Sequence, residues 1–595
     1  MNKMKNMIKI LSVWSIGVNL FACSDLTFGD KFLGDQPESS GATLDSMFNS
    51  KANADKVLTQ AYCYLPYGLP TKSGAGYNKL GVNILEALTD LYSSYRNMSS
   101  DGPVNLYYNG MLSPNIASNL QGCEAYRFGS QLEYHAIRYA YLYIENLPKV
   151  PNMTEAERNE RIAEAKTLIA LSYAEMLRYV GGVPILTTYV DPNDDMNFPR
   201  ATFDATVKHI IGLLDEAIPY LNWKQKDIDD GRMTKAGAMG LKIRVLLFAA
   251  SPTFNGPKWR EDANEYTCYG NYDLQRWKDV VTACDDFMKA LDLNGEYGLT
   301  MPTEATPEAR RLAYRSGYYD RGGTEVLISV RRGYAPSIHQ NIYDQRYYSG
   351  PTLNYVNMFP WADGKDFDEN FNWSNPSKQP FFDADGTPLR DPRLYETVAV
   401  PGDKYFNGTP PPIYTNHPNY RNDGTGFLMM KFILTDKGVR DNRPVQWPYL
   451  RLPEVLLSYA EALNEVNNGP TATAYSCINQ VRARVGLSAI PTSGMDKKKF
   501  LTAILKERAL EFGFEEVRWF DMVRRGMAED FKKTLYGLVT TGNDANNPTA
   551  FTFKEVFKLP TTRYWSSNWD TKWYLQPIPQ NEINKAYGMT QNPGW

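Results

Sequence analysis

Apolar residues recur at spacings of three and four through several stretches of the chain. Between Arg158 and Val180 the stripe runs Ile162, Ala165, Ile169, Tyr173, Met176 and Val180. That period predicts an amphipathic helix. Gly181-Gly182 supplies its stop, and Pro184 bars its continuation. The same reading predicts a helix from Phe203 to Leu221, through Val207, Ile210, Ile211, Leu214 and Ile218. A third runs from Thr234 to Ala250, with Leu241, Val245 and Phe248 on one face and Ala236, Ala238 and Ala249 as small contact points. Paired amphipathic helices of this kind resemble tetratricopeptide-type repeats, so the expected fold class is mainly α.

From Pro252 to Trp447 the texture changes. Gly, Pro, Asn, Asp and Tyr crowd together, and the expectation is a loop-rich region with few short strands, such as Glu325 to Val330. Long loops in a compact protein commonly carry function, and this aromatic content argues against disorder. Helices return at Leu452–Asn467, Thr473–Val485 and Phe500–Arg525. The last is read as one charged helix. Glu507, Glu511 and Glu515 repeat every four residues, Arg508 and Glu511 stand three apart, as do Arg518 and Asp521, and Asp521 reaches Arg524 or Arg525. Exposed pairings of this sort contribute a few tenths of a kcal/mol each, roughly, and matter more when buried.

The N-terminus adds a location. Lys3, Lys5 and Lys9 precede an apolar run from Ile10 to Leu20 that closes on Leu20-Phe21-Ala22-Cys23. This is a secretory signal, too short for a membrane span. A cysteine directly after Ala22 is the arrangement of a bacterial lipoprotein, in which Cys23 would be acylated and become the first residue after cleavage. The alternative is a plain secreted protein cut near Ala22. Several acyl chains, at about 0.8 kcal/mol per buried CH₂, would tether a folded body durably. The expected organisation is a signal peptide at 1–22, an N-terminal helical region at 23–230, and a C-terminal region at 231–595 holding the loop-rich part, all in one integrated unit.

Composition narrows the function. The 595 residues carry 64 basic and 67 acidic side chains, for a formal charge of −3, without a long basic block. That disfavours a nucleic-acid partner. Cys63, Cys123, Cys268, Cys284 and Cys477 are odd in number and scattered, which does not describe a disulfide framework. Buried free thiols are expected, with a Cys268–Cys284 bridge as the alternative. The 40 tyrosines suit binding surfaces, because each offers a flat face with a polar tip.

Enzyme signals are sparse. None of the four histidines pairs with another at metal-ligand spacing, and no nucleophile elbow, P-loop or dinucleotide fingerprint occurs. Asp383-Ala384-Asp385-Gly386 resembles the start of a calcium loop but lacks the closing glutamate, so it reads as a turn, with a structural calcium ion as the alternative. No cofactor and no catalytic residue is expected.

Six segments, in order, resemble the RagB/SusD family of nutrient-binding outer-membrane lipoproteins. The first is Ala163-Glu164-Ala165-Lys166 through Gly181-Gly182-Val183-Pro184. Gly231-Arg232-Met233-Thr234-Lys235 follows, leading to Ser251-Pro252. Pro351-Thr352-Leu353 to Asp363-Gly364, with Asp391-Pro392-Arg393-Leu394, is the third, and Leu450-Arg451-Leu452-Pro453-Glu454 with Tyr459-Ala460-Glu461-Ala462 the fourth. Glu507-Arg508 to Arg518-Trp519-Phe520-Asp521 and the ending Gln591-Asn592-Pro593-Gly594-Trp595 complete the set. The resemblance implies a SusD-like fold: tetratricopeptide-like helical pairs supporting a loop-rich ligand-binding region.

It also implies a non-catalytic lipoprotein of the outer membrane, facing the cell exterior. Such a protein captures oligosaccharide, or peptide in some members, and delivers it to a SusC-like TonB-dependent transporter as a hinged lid. In many members an aromatic ligand contact follows a Thr-Asp segment. Here that segment is Thr89-Asp90-Leu91-Tyr92-Ser93-Ser94-Tyr95-Arg96, with no tryptophan, so Tyr92 and Tyr95 are the candidate platforms, beside Arg96. Central candidates are Tyr347, Tyr348 and Trp361, with Arg346 as a polar clamp. The alternatives are oligopeptide capture by the same lid, a cell-surface glycoside hydrolase, or a structural subunit of the transporter complex.

Overall fold

The computed structural model describes residues 43–69, 85–95, 103–117, 132–191, 193–331, 337–347, 349–376, 378–559 and 563–595. The signal segment, Cys23, Arg96, Cys123 and Tyr348 lie outside the described residues. Of the described helices, none is long and apolar enough to cross a membrane.

Helices dominate, as the periodicity predicts. We label the longer ones α1 (Lys51–Cys63), α2 (Leu132–Asn146), α3 (Glu155–Val180), α4 (Phe203–Ala217), α5 (Lys235–Ala250), α6 (Leu274–Asn294) and α7 (Pro307–Tyr319). After the loop-rich stretch come α8 (Leu452–Val466), α9 (Ala472–Arg484), α10 (Lys497–Phe512) and α11 (Arg518–Arg524). Helices α1, α2, α3, α4, α5 and α6 pack successively on one another, and α8 joins the stack against α5 and α6. This is the layered arrangement of helical repeats, in which each element covers its neighbour's apolar face.

Helix α3 is the spine. Thr154 caps it: its hydroxyl accepts from the Glu157 N–H at 3.2 Å, while Glu157 accepts from the Thr154 N–H at 2.7 Å. Such reciprocal capping satisfies two orphan donors. From Ala163 onward α3 is buried almost all round. Its end is close-packed as well as left-handed: a Cβ on Gly181 (φ 85°) would stand 2.5 Å from the Tyr266 carbonyl oxygen, and one on Gly182 would stand 2.1 Å from that of Ala201. Side chains from two remote segments occupy the last carbonyls. Arg200 donates to the Val180 oxygen at 2.8 Å and the Gly182 oxygen at 2.7 Å, and Asn592 donates to the Val180 oxygen at 3.0 Å. The C-terminal Asn-Pro-Gly-Trp segment is therefore a helix cap.

The stretch after Pro252 is loop-rich as expected, but it also holds two long helices, α6 and α7. Trp277, Val280, Cys284 and Phe287 form the buried stripe of α6, behind an Asp273 cap and before a Gly295 stop. A second expectation needs correction: the helix expected from Phe500 to Arg525 is broken into α10 and α11. Phe514 (φ 65°) and Glu516 (φ 61°) take left-handed backbone between them. The Tyr355 hydroxyl bonds the Ala509 oxygen at 3.0 Å and lies 1.9 Å from where a Cβ on Gly513 would be. Tyr355 thus occupies the place of the next turn.

The break redirects the charged side chains into the core. Arg451 reaches Glu325 (3.0 Å), Glu511 (2.9 Å) and Glu515 (2.7 Å), Arg484 reaches Glu325 (2.8 Å) and bonds Glu511, and Arg393 joins Asp391 (2.8 Å) to Glu507 (2.6 Å). Lys431 meets Glu515 at 2.6 Å and Arg482 meets Glu507 at 3.1 Å. Five acids thus face five bases, so the buried cluster is neutral. Arg508 pairs with Asp521 rather than Glu511, and Arg518 pairs with Asp90 rather than Asp521. The expected Asp521–Arg524 pair is present at 2.8 Å. Removing one member of such a set strands a buried charge at about 3–5 kcal/mol.

Among the described residues the strands form two-stranded antiparallel sheets. In chain order they are β1 (Tyr92–Ser94), β2 (Val326–Val330), β3 (Ser349–Pro351), β4 (Val398–Ala399), β5 (Leu428–Met429), β6 (Trp447–Arg451), β7 (Tyr536–Gly542) and β8 (Phe551–Lys558). The pairs are β1–β3, β2–β6, β4–β5 and β7–β8. Cys268, Cys284 and Cys477 are buried free thiols, so Cys268 and Cys284 are not bridged.

Candidate ligand-binding site

Strand β1 brings the N-terminal platform segment onto the central loops. Its register with β3 sets Tyr92 opposite Pro351, Ser93 opposite Gly350 and Ser94 opposite Ser349. The strand is held from both sides. The Thr352 N–H donates to the Leu91 oxygen at 3.0 Å, and Arg563 donates to the Tyr92 oxygen at 2.8 Å. Tyr95, one residue beyond β1, therefore emerges beside Arg346 and Tyr347, just before β3.

The two candidate tyrosines separate here. Tyr92 is fully buried, with the Ser349 hydroxyl 3.1 Å from its own and its ring edge-on to Phe514 at 5.1 Å. Burial pushes its hydroxyl well above the ordinary phenol value. It has no open face, and its role in this structure is to anchor β1. Tyr95 is half-buried and lines a narrow cleft with Arg346, Asn419, Tyr420, Arg421 and Gly424. A Cβ on Gly350 would stand 2.9 Å from the Tyr95 hydroxyl and 2.6 Å from the Phe427 oxygen, so only glycine admits this approach.

Arg346 is clamped between two rings, 3.7 Å from the Tyr343 centroid and 3.8 Å from that of Tyr347. It donates to the Tyr343 oxygen at 3.1 Å, to Asp344 at 2.9 Å and to the Tyr347 hydroxyl. Its Nε has no partner among the described residues. Across the cleft Arg421 pairs with Asp423 at 2.7 Å, both half-exposed. The cleft thus presents tyrosine rings and forked donors together. Rings stack on the C–H faces of a sugar, and the donors meet its hydroxyls.

Trp361 lies elsewhere. It is half-buried on a turn closed by its N–H to the Lys365 oxygen at 2.8 Å, with Lys378 Nζ 3.8 Å over its ring and Phe367 at 5.1 Å. A chain of ring contacts through Phe367, Trp373 and Phe381 ends at Phe427, which lines the cleft. Trp361 is therefore a separate aromatic patch on the same body. Asn419, Tyr420 and Arg421 were not expected at the site. Their signal in the sequence is a tyrosine and an arginine within the turn-rich run Asn419 to Gly424.

Catalytic geometry is not evident. Asp344 and Asp423, behind the cleft arginines, are each paired with one of them. No group of three or more His, Cys, Asp and Glu among the described residues is placed to hold a metal ion. Asp383 closes its turn by accepting from the N–H groups of Asp385 (3.0 Å) and Thr387 (2.8 Å).

Comparison with known proteins agrees with this architecture. Residues 325–595 match the model of the SusD family. A SusD-like protein of Formosa agariphila is 22% identical over 438 residues, covering 68% of this chain and 73% of the relative. The crystal structure of a SusD-like protein from Bacteroides fragilis superposes with a TM-score of 0.69 at 22% identity, over 93% of this chain and 98% of that one. A laminarin-binding SusD-like protein superposes with a TM-score of 0.55 at 21% identity, over 92% of this chain and all of the other. Together these matches show that the C-terminal part of the chain, residues 325–595, is similar to the SusD family and that the helical stack described above has the fold of SusD-like proteins.

Proposed function

We propose that the protein is a non-catalytic surface lipoprotein, anchored through Cys23 in the outer membrane. It binds oligosaccharide or polysaccharide and passes it to a SusC-like TonB-dependent transporter. The observation that carries this reading is the cleft in which Tyr95 and Arg346 meet across the β1–β3 pairing, with the Tyr347 ring stacked on Arg346. The laminarin-binding neighbour supports a glycan as ligand. Tyr95 and Tyr347 serve as stacking surfaces at the cleft, with Arg346 and Arg421 as hydrogen-bond donors, and Trp361 is a separate stacking surface for a longer glycan chain.

Magnitudes set the expected affinity. Two stacking contacts at the cleft, at about 0.5–1.5 kcal/mol each, contribute only ~1–3 kcal/mol. With a few hydrogen bonds the isolated protein should bind a short oligosaccharide at roughly 10 μM to 1 mM. Retention of a polymer then depends on avidity or on closure against the transporter. The test is affinity electrophoresis of the chain begun just after Cys23 in gels of plant, host and microbial polysaccharides. Retardation in one gel, reduced by Tyr95→Ala and by Trp361→Ala, is the expected result. Binding of peptides alone would move the protein to oligopeptide capture, and release of reducing sugar would make it a hydrolase.

A further inference from the structure

One cavity among the described residues contains none of the residues discussed so far as ligand contacts. It has a volume of about 610 Å³ and opens beside the end of α3. Its described walls come from α2, from α3 and the segment after it, and from the C-terminal segment near Ile578 to Met589. The interior is apolar: Met176, Val180, Leu186, Met196, Phe198 and Met589 face it. Four of these six side chains would be poor choices for an empty surface, since Leu186, Met196, Phe198 and Met589 are only half-covered.

Polar groups of the wall and rim are already engaged. Tyr134 donates to the Pro184 oxygen at 2.8 Å. Arg138 donates to the Tyr189 hydroxyl at 2.6 Å and lies 4.9 Å over its ring. Lys585 and Glu582 pair with each other at 2.8 Å. The lining sets Arg138 and Lys585 against Glu133 and Glu582, so it asks for no net charge in a ligand, and the interior offers it dispersion and dehydration. The floor is rigid, because Arg200 and Asn592 staple the end of α3 to the chain terminus. Methionines on the walls adapt to irregular shapes. Small-molecule sites are clefts of roughly 300–1,000 Å³ with mostly apolar walls and few polar groups, and this cavity lies within that range.

The geometry points to a second binding site, for an uncharged amphiphile whose alkyl or aryl body enters the cavity while its polar head stays at the Arg138–Glu582–Lys585 rim. The site is independent of the glycan cleft. It is tested on the chain from residue 24, which holds every described residue, with the uncharged fluorescent probe N-phenyl-1-naphthylamine and 1-octanol as competitor. The expected result is saturable fluorescence enhancement that 1-octanol displaces. Leu186→Trp and Met196→Trp, on half-exposed wall segments, should each weaken it at least tenfold while polysaccharide retardation is unchanged. Circular dichroism checks that each variant is folded, and either folded variant suffices. Absence of saturable binding, or equal binding by a folded Trp variant, overturns the proposal. So does capture of apolar peptides without any binding of the probe, which would make the cavity a protein contact.

Discussion

Arg518 grips Asp90, 428 residues away in the chain, through two bonds of 3.0 and 2.9 Å in a fully buried setting. Asp90 belongs to the segment that leads into β1, and Arg518 opens α11 just after the left-handed break. The pair therefore ties the platform strand to the helical body. Burial alone would raise the Asp90 carboxyl, but the Arg518 guanidinium outweighs it and holds the group below its ordinary range.

Asp90→Ala should lower unfolding free energy by roughly 3–5 kcal/mol, since it leaves a buried guanidinium unpaired. Urea denaturation at neutral pH measures this. Polysaccharide retardation should weaken in the same variant, because β1 loses its anchor. A loss under about 1 kcal/mol would mean that the pair behaves like a surface ion pair.

Tyr95 and Tyr92 should respond oppositely to substitution. Tyr95→Ala removes one stacking face, about 0.5–1.5 kcal/mol, and should weaken glycan binding by roughly two- to twelve-fold with little change in melting temperature. Tyr92→Phe removes a buried hydroxyl contact with Ser349, costs about 1 kcal/mol of stability, and leaves binding intact. Isothermal titration and thermal unfolding of both variants separate the two roles.

Glu86 supplies a pH dependence. Burial, reinforced by the neighbouring Glu516 charge, raises its carboxyl to about 8, while its Oε1 accepts from the Glu516 N–H at 2.6 Å. The unfolded chain releases this proton near pH ~4.3. Between those values the fold holds a proton that the unfolded chain has lost, so this group makes stability fall as pH rises from about 4 to 8. Glu86→Gln keeps the acceptor and removes the titration. Its stability relative to the parent should therefore grow between pH 5 and 8, read by urea midpoints; a constant difference would contradict the assignment.

At the acid end the sign reverses. Burial opposes ionisation of Glu461 and Asp521, but Arg524 with Arg525, and Arg508 with Arg524, outweigh it and hold both carboxyls below their ordinary values. Such groups contribute stability that is complete above about pH 4 and is lost as pH falls through the folded-state values. Glu461→Gln should be less stable at pH 6 and show a shallower decline below pH 4. Denaturant titrations from pH 6 to 3 provide the comparison.

Some of this was legible from local pattern. The spans of α3, α4, α5, α8 and α9 follow from their own apolar stripes, and α3 ends at the glycine pair that marks its stop. The stripe of α6 was equally present, but it sits in a stretch crowded with turn residues, and the crowding dominated the reading. At the site Tyr95, Arg346 and Tyr347 were legible as residue types suited to sugars. Tyr92 was not distinguishable from Tyr95, because only the β1–β3 pairing and Phe514 decide which ring is enclosed.

By itself the sequence determined the mainly helical class, the positions of five of the eleven labelled helices, the export signal as an expectation, and the segments that resemble the SusD family. These depend on side-chain period and on short motifs, which act over a few residues. Only the tertiary structure decided the partners of the charged residues, the break between α10 and α11, and the cleft and cavity. Arg451, Glu511, Arg393 and Glu325 become one neutral cluster because folding brings segments far apart in the chain to one dehydrated place. Once desolvated, each charge must meet its opposite, and that requirement selects pairings no local spacing predicts.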